Sequence, residues 1–169
     1  MVNRLIRSVV ETVRPPRVKI EFVDDLRQRT FEIGGDIETV VAVTPRREAA
    51  HVVEARVALV LEFEFVRVST IMIADGKAAI HGSFQSAMRP KTVRNKSVDS
   101  HQLDAVVFLN KQRIEPIRAT FPARLTVPEE LPRPPGSAIG STATWKLVAT
   151  LELTDGKVFR AEQVITERG

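Results

Sequence analysis

Between Val53 and Phe65 every second residue is apolar over thirteen positions, and four of the six residues between them are charged. Val53, Ala55, Val57, Leu59, Leu61, Phe63 and Phe65 fall on one side, and Glu54, Arg56, Glu62 and Glu64 on the other. A period of two belongs to an extended chain, whose successive side chains point to opposite faces. The stretch therefore predicts a strand with one face on a core and the other in water. Such a strand would run about 40 Å at the usual rise, so a bulge or bend is expected within it, near Phe65–Arg67.

The same period recurs along most of the chain. Val18, Ile20 and Phe22 alternate with Lys19 and Glu21, and Ile37, Thr39, Val41 and Val43 follow a turn at Gly34-Gly35. "IMIADGKAAI" (71–80) and "LELTDGKVFRAEQVI" (151–165) predict hairpins around Asp75-Gly76 and Asp155-Gly156, because Asp-Gly suits the tight turns that join antiparallel strands. Leu103–Asn110 and Gln112–Val127 are expected to be a strand pair with a turn near Asn110, and the polar, basic "MRPKTVRNKS" (88–97) a loop. Only the start differs. Val2, Leu5, Ile6, Val9, Val10 and Val13 keep a helical spacing, with Arg4, Arg7, Glu11 and Arg14 opposite. Pro15 and Pro16 end that helix, since a residue before proline is pushed out of the α region.

A rigid span interrupts two of the alternating stretches. Phe121, Ala123, Leu125 and Val127 lie before it, and Ala143, Trp145, Leu147, Ala149, Leu151 and Leu153 after it. Between them stand Pro128, Pro132, Pro134, Pro135, Gly136 and Gly140. A flexible linker between domains would be rich in Gly and Ser, and residues 141–169 are too few to bury a core of their own. The span is thus expected to be a fixed crossover within one sandwich, its prolines restricting φ. Trp145 is expected to fill the core.

The order of these features resembles a known family. "F-x-x-x-L-x-V-P-x-x-L-P-x-P-P-G-S" followed by "W-K-L-V-A-T-L" is similar to the strand–proline loop–strand pattern of the arrestin-like N-terminal domain. "FEIGGDIETVVAV" with "VVEARVALVLEFEF" resembles that domain's opening, and the bacterial sporulation-control branch is nearest in size and N-terminal style. The likeness covers roughly residues 18–165. It implies an all-β fold: a single immunoglobulin-like, arrestin-like antiparallel β-sandwich over 17–167, preceded by a short amphipathic helix over 1–14. Arrestins carry two sandwiches in tandem, whereas this chain has room for one. No functional residue is carried over from their interdomain mechanism. The chain has no tyrosine, so the proline–proline–x–tyrosine tails of ubiquitin-ligase adaptors are missing.

Composition narrows the function classes. Without cysteine there is no disulfide, zinc-thiolate site or cysteine nucleophile. Basic residues (25) only slightly outnumber acidic ones (21) and are spread along the chain, which argues against nucleic acid. No apolar run reaches the roughly 20 residues of a membrane span, and Arg7 and Glu11 interrupt what would be a signal sequence, so a cytoplasmic chain is expected. His51, His81 and His101 match no local ligand spacing, and Asp24-Asp25 and Glu129-Glu130 are neighbours that diverge on a strand or sit in water in a loop. Ser137 lacks the nucleophile-elbow setting. No catalytic, cofactor or metal residues are therefore expected.

Two segments remain as contact candidates. Arg89, Lys91, Arg94 and Lys96 offer an anionic contact, without interleaved aromatics for base stacking. Val2, Arg4, Leu5, Ile6, Arg7, Val9, Val10 and Val13 belong to a helix that either packs its apolar face on the sandwich or offers a contact with a protein partner or, weakly, with an anionic membrane. The leading expectation is a non-catalytic interaction or scaffold module, taking protein partners or associating with itself through exposed strand edges. One alternative is a peripheral membrane or trafficking adaptor using the helix. Another is a small-ligand-binding sandwich, against which the low aromatic content (5%) stands.

Overall fold

The structure, a computed structural model, describes residues 17–24, 30–74, 88–136 and 139–168. These form eight strands and no helix: β1 (Val18–Phe22), β2 (Thr30–Phe31), β3 (Asp36–Pro45), β4 (Ala50–Ala74), β5 (Met88–Ile114), β6 (Ala119–Thr126), β7 (Ile139–Leu153) and β8 (Val158–Glu167). The helix expected over 1–14 and the hairpin turn at Asp75-Gly76 lie outside the described residues.

Two sheets result, one ordered β1-β3-β6 and the other β2-β8-β7-β4-β5. In the first, Ile20 pairs with Val43 and Val41 with Phe121, both antiparallel. In the second, β7 and β8 form the expected hairpin, with Ala149 opposite Ala161 and Gly156 at φ 79° in its turn. The two-residue β2 joins β8 in parallel, a small departure from an all-antiparallel fold.

The chain divides into two compact units. The first holds the described residues within 1–60, 102–129 and 145–169. Its core is drawn from both sheets: Val41, Val43 and Leu125 from one, Leu59, Leu147 and Leu151 from the other, all fully buried. Phe108 on β5 and Phe121 on β6 meet at 5.4 Å between ring centres, one from each sheet. This is sandwich packing, with inner faces interdigitated. Trp145 is buried as expected, edge-on to Phe31 at 4.8 Å. The proline span carries the chain from β6 in one sheet to β7 in the other. Gly34, at φ 80°, makes the turn before β3, where a side chain would meet Glu129.

Polar groups tie β3, β5 and β6 together at one margin of this unit. Arg124 Nε donates to Asp36 Oδ2 at 3.0 Å and Thr126 Oγ1 to Asp36 Oδ1 at 2.9 Å. Hydrogen bonding to Arg124, then to Thr126, holds the Asp36 carboxyl below its usual range. The Thr126 amide donates to Asp104 Oδ2 at 2.7 Å, linking a strand of each sheet.

One core position breaks the pattern. Thr39 shares the inner face of β3 with Ile37 and Val41 and is buried, and its Oγ1 meets no hydrogen-bond partner among the described residues. A buried hydroxyl without a partner costs about 1–3 kcal/mol. Thr39→Val keeps the shape and removes that cost, so its urea midpoint is expected to rise, by about 1 kcal/mol of stability; a lower midpoint would show that the hydroxyl is satisfied.

Several expectations are corrected. Residues 88–97 are not a loop but the start of β5, and the chain does not turn at Asn110. Lys111 adopts φ 47° inside β5 instead, and the chain reverses after Ile114. Nor are the two halves of that region a pair: β5 lies beside β4, and β6 pairs with β3 in the other sheet. Backbone hydrogen bonding to β4 sustains β5 through a polar stretch, and Pro90 is tolerated because β5 is an edge strand. In β4, Val52 rather than Val53 is buried, and the buried set then continues at Ala55, Val57 and Leu59. The alternation thus shifts phase at Val53–Glu54, the signature of one extra residue. What changes at Phe65–Arg67 is exposure, while β4 itself runs unbroken to Ala74.

Candidate functional site

The second unit holds the described residues within 61–101 and 130–144. It contains the outer half of β4 and the first half of β5, with β5 ending the five-stranded sheet. Leu61, Phe63 and Phe65 are buried, and beyond them cover is lost. Met72, Met88 and Val98 are 55%, 59% and 62% exposed, with Val68 and Ile71 only somewhat less so.

Two contacts establish which side chains share a face. Lys96 Nζ donates to Glu64 Oε1 at 3.0 Å, and the Phe63 and His101 rings meet edge-on at 5.9 Å. Because side chains alternate along a strand, even-numbered residues of both strands occupy one face and odd-numbered residues the other. Val68, Met72, Met88 and Val98 thus share a face with Arg94 and Lys96. Half-cover at Val93, Ser97, Asp99 and His101 follows the same alternation.

Beyond Phe65 on β4 and before Asp99 on β5, the charge on this ribbon is of one sign. Residues 66–74 and 88–98 include Arg67, Arg89, Lys91, Arg94 and Lys96 and no carboxylate. Among the described residues only Lys96 of these is ion-paired, with Glu64. Exposed like charges without counter-charges create a positive local potential, which attracts anionic groups. The four basic residues singled out in the sequence are therefore brought onto one strand but split between its faces: Arg94 and Lys96 on the even face, Arg89 and Lys91 on the odd.

The other candidates fall elsewhere. The N-terminal set from Val2 to Val13 lies outside the described residues, as do Asp25, His81 and Ser137. His51 is exposed on β4, and His101 Nε2 lies 3.0 Å from Asp99 Oδ2. Among the described residues no three His, Cys, Asp or Glu side chains gather as a metal site. Open clefts of the first unit lie at Asp24, Thr39 and Arg124 and at Phe22, Val23 and Glu162. Arg124 of the first is already engaged by Asp36. No helix among the described residues is long and apolar enough to cross a membrane.

The exposed apolar residues of the ribbon escaped the sequence reading. Their signal was present in "VRVSTIMIA" (66–74), which carries Val68 and Met72 on one parity and Ile71 and Ile73 on the other. A segment apolar on both parities does not have the single dry face of Val53–Phe65.

No family model matches this chain, and no curated protein does. Among solved structures it is similar to the sporulation control protein Spo0M from Bacillus subtilis, at 15% identity and TM-score 0.47, over 90% of this chain and 49% of that one. A DUF4466 family protein from Parabacteroides merdae is 11% identical with TM-score 0.41, over 90% of this chain and 46% of that one. AvmM, which catalyses macrocyclization in alchivemycin A biosynthesis, is 11% identical with TM-score 0.39, over 92% of each chain. The chain spans about half the length of the first two.

Proposed function

We propose that this chain is a non-catalytic protein-interaction module that takes an extended segment of a partner along the outer edge of β5. The observation that supports this reading is the length of that edge: β5 runs for 27 residues at the end of its sheet. A terminal strand leaves outward N–H and C=O groups without a ladder partner, and an added strand completes them. The other edges offer less. β2 has two residues, β1 five, and β6 eight with Pro122 among them.

The test is amide hydrogen exchange of the whole chain with a panel of short labelled strand-forming peptides. At least one is expected to slow exchange across Met88–Ser100, and its backbone N-methylated twin to have no effect. If no peptide protects that stretch, or N-methylation changes nothing, strand addition at β5 is wrong.

A further inference from the structure

Resting on that reading, we infer that the segment received by β5 is acidic, with carboxylates at alternate positions set over Arg94 and Lys96. Five cations occupy 66–74 and 88–98 with no carboxylate among them, and four of the five have no ion pair among the described residues. Lys96 shows how a carboxylate is taken: it already holds Glu64, on the neighbouring strand and the same face, at 3.0 Å. An incoming strand on the open side of β5 would present its side chains to Arg94 and Lys96 as β4 presents Glu64.

Spacing sets the pattern. Arg94 and Lys96 are two residues apart on one face, roughly 7 Å along the strand. Two carboxylates separated by one residue on the partner match that interval. Next along the same face stands Val98, 62% exposed, which favours a β-branched or apolar residue at the following position.

Charge also decides against a second copy of the chain. Antiparallel pairing of β5 with itself about its basic stretch would set Arg94 and Lys96 against their own counterparts, and like charges opposite one another destabilise a sheet.

The experiment measures binding of labelled peptides alternating Thr with Glu, Gln or Lys to the full chain and to Arg94→Glu/Lys96→Glu. Both substitutions are at exposed positions, and unchanged thermal melting verifies that the variant folds. The Thr-Glu peptide is expected to bind wild type most tightly, to weaken about tenfold on the double charge reversal, and to weaken as salt rises. The Thr-Lys peptide is expected to prefer the variant. If the Thr-Gln peptide protects β5 and Thr-Glu binds no better, the acidic inference fails while strand addition stands. If none protects β5, both fail. If phosphatidylserine vesicles bind wild type but not the variant, and no peptide binds, the basic face is a lipid contact and the inference is overturned.

Discussion

Trp145→Ala should lower the stability of the fold by about 3–5 kcal/mol, a large part of the roughly 5–15 kcal/mol that holds a domain of this kind together. Trp145 is 6% exposed, lies edge-on to Phe31 and pairs across the ladder with Ile165, itself buried. Truncation removes the largest side chain of this layer and leaves a cavity that rigid strands on either side cannot close. It also releases β2, whose two residues pair, among the described residues, only with β8 and whose Phe31 ring rests on the indole. Trp145→Phe keeps an aromatic edge there and should cost a fraction as much. Urea unfolding followed by far-UV circular dichroism measures both, since the sole tryptophan is the residue removed. A loss below about 1 kcal/mol for alanine would mean that the indole is not packed between Phe31 and the sheet.

A second large effect separates two parts of one strand. Leu59→Ala should cost about 2–5 kcal/mol, whereas Val68→Ser should stay within about 0.5 kcal/mol of wild type. Both residues lie on β4, but Leu59 is fully buried and Val68 is 41% exposed. Burial, and not strand membership, carries the energy: the hydrophobic gain scales with the area withdrawn from water, and deep positions add a cavity term. Equal losses would show that the outer part of β4 is covered in the folded protein. The contrast also bears on the interaction surface, because a residue kept at little benefit to folding is free to serve a partner.

Where one face is dry, the strands could be read directly. Val18–Phe22, Ile37–Val43, Ala55–Phe65, Ala123–Val127 and Trp145–Leu153 all show their apolar faces in the period of two, and these are the faces found buried. Asp155-Gly156 announced its hairpin because its turn needs a residue at positive φ, which Gly156 supplies. Where both faces are wet, the reading failed. "MRPKTVRNKS" has the composition of a loop, yet it is strand, because backbone hydrogen bonds to a neighbour do not depend on apolar side chains. At Asn110 local polarity suggested a turn, whereas the chain continues through a single positive φ at Lys111.

The candidate site was legible only in pieces. Arg89, Lys91, Arg94 and Lys96 stood out as charges, but their division between two faces and their union with Met72, Met88 and Val98 depended on strand pairing. The all-β class and most inward residues of the core strands could be read from the residues alone, because periodicity is a local property of a chain. Tertiary structure alone decided that β6 joins β3 rather than β5, that the alternation of β4 shifts at Val53–Glu54, and that β5 stands at an edge. Those outcomes depend on which distant strands supply hydrogen-bond partners, a choice made by the sum of contacts across the fold and written in no single stretch of residues.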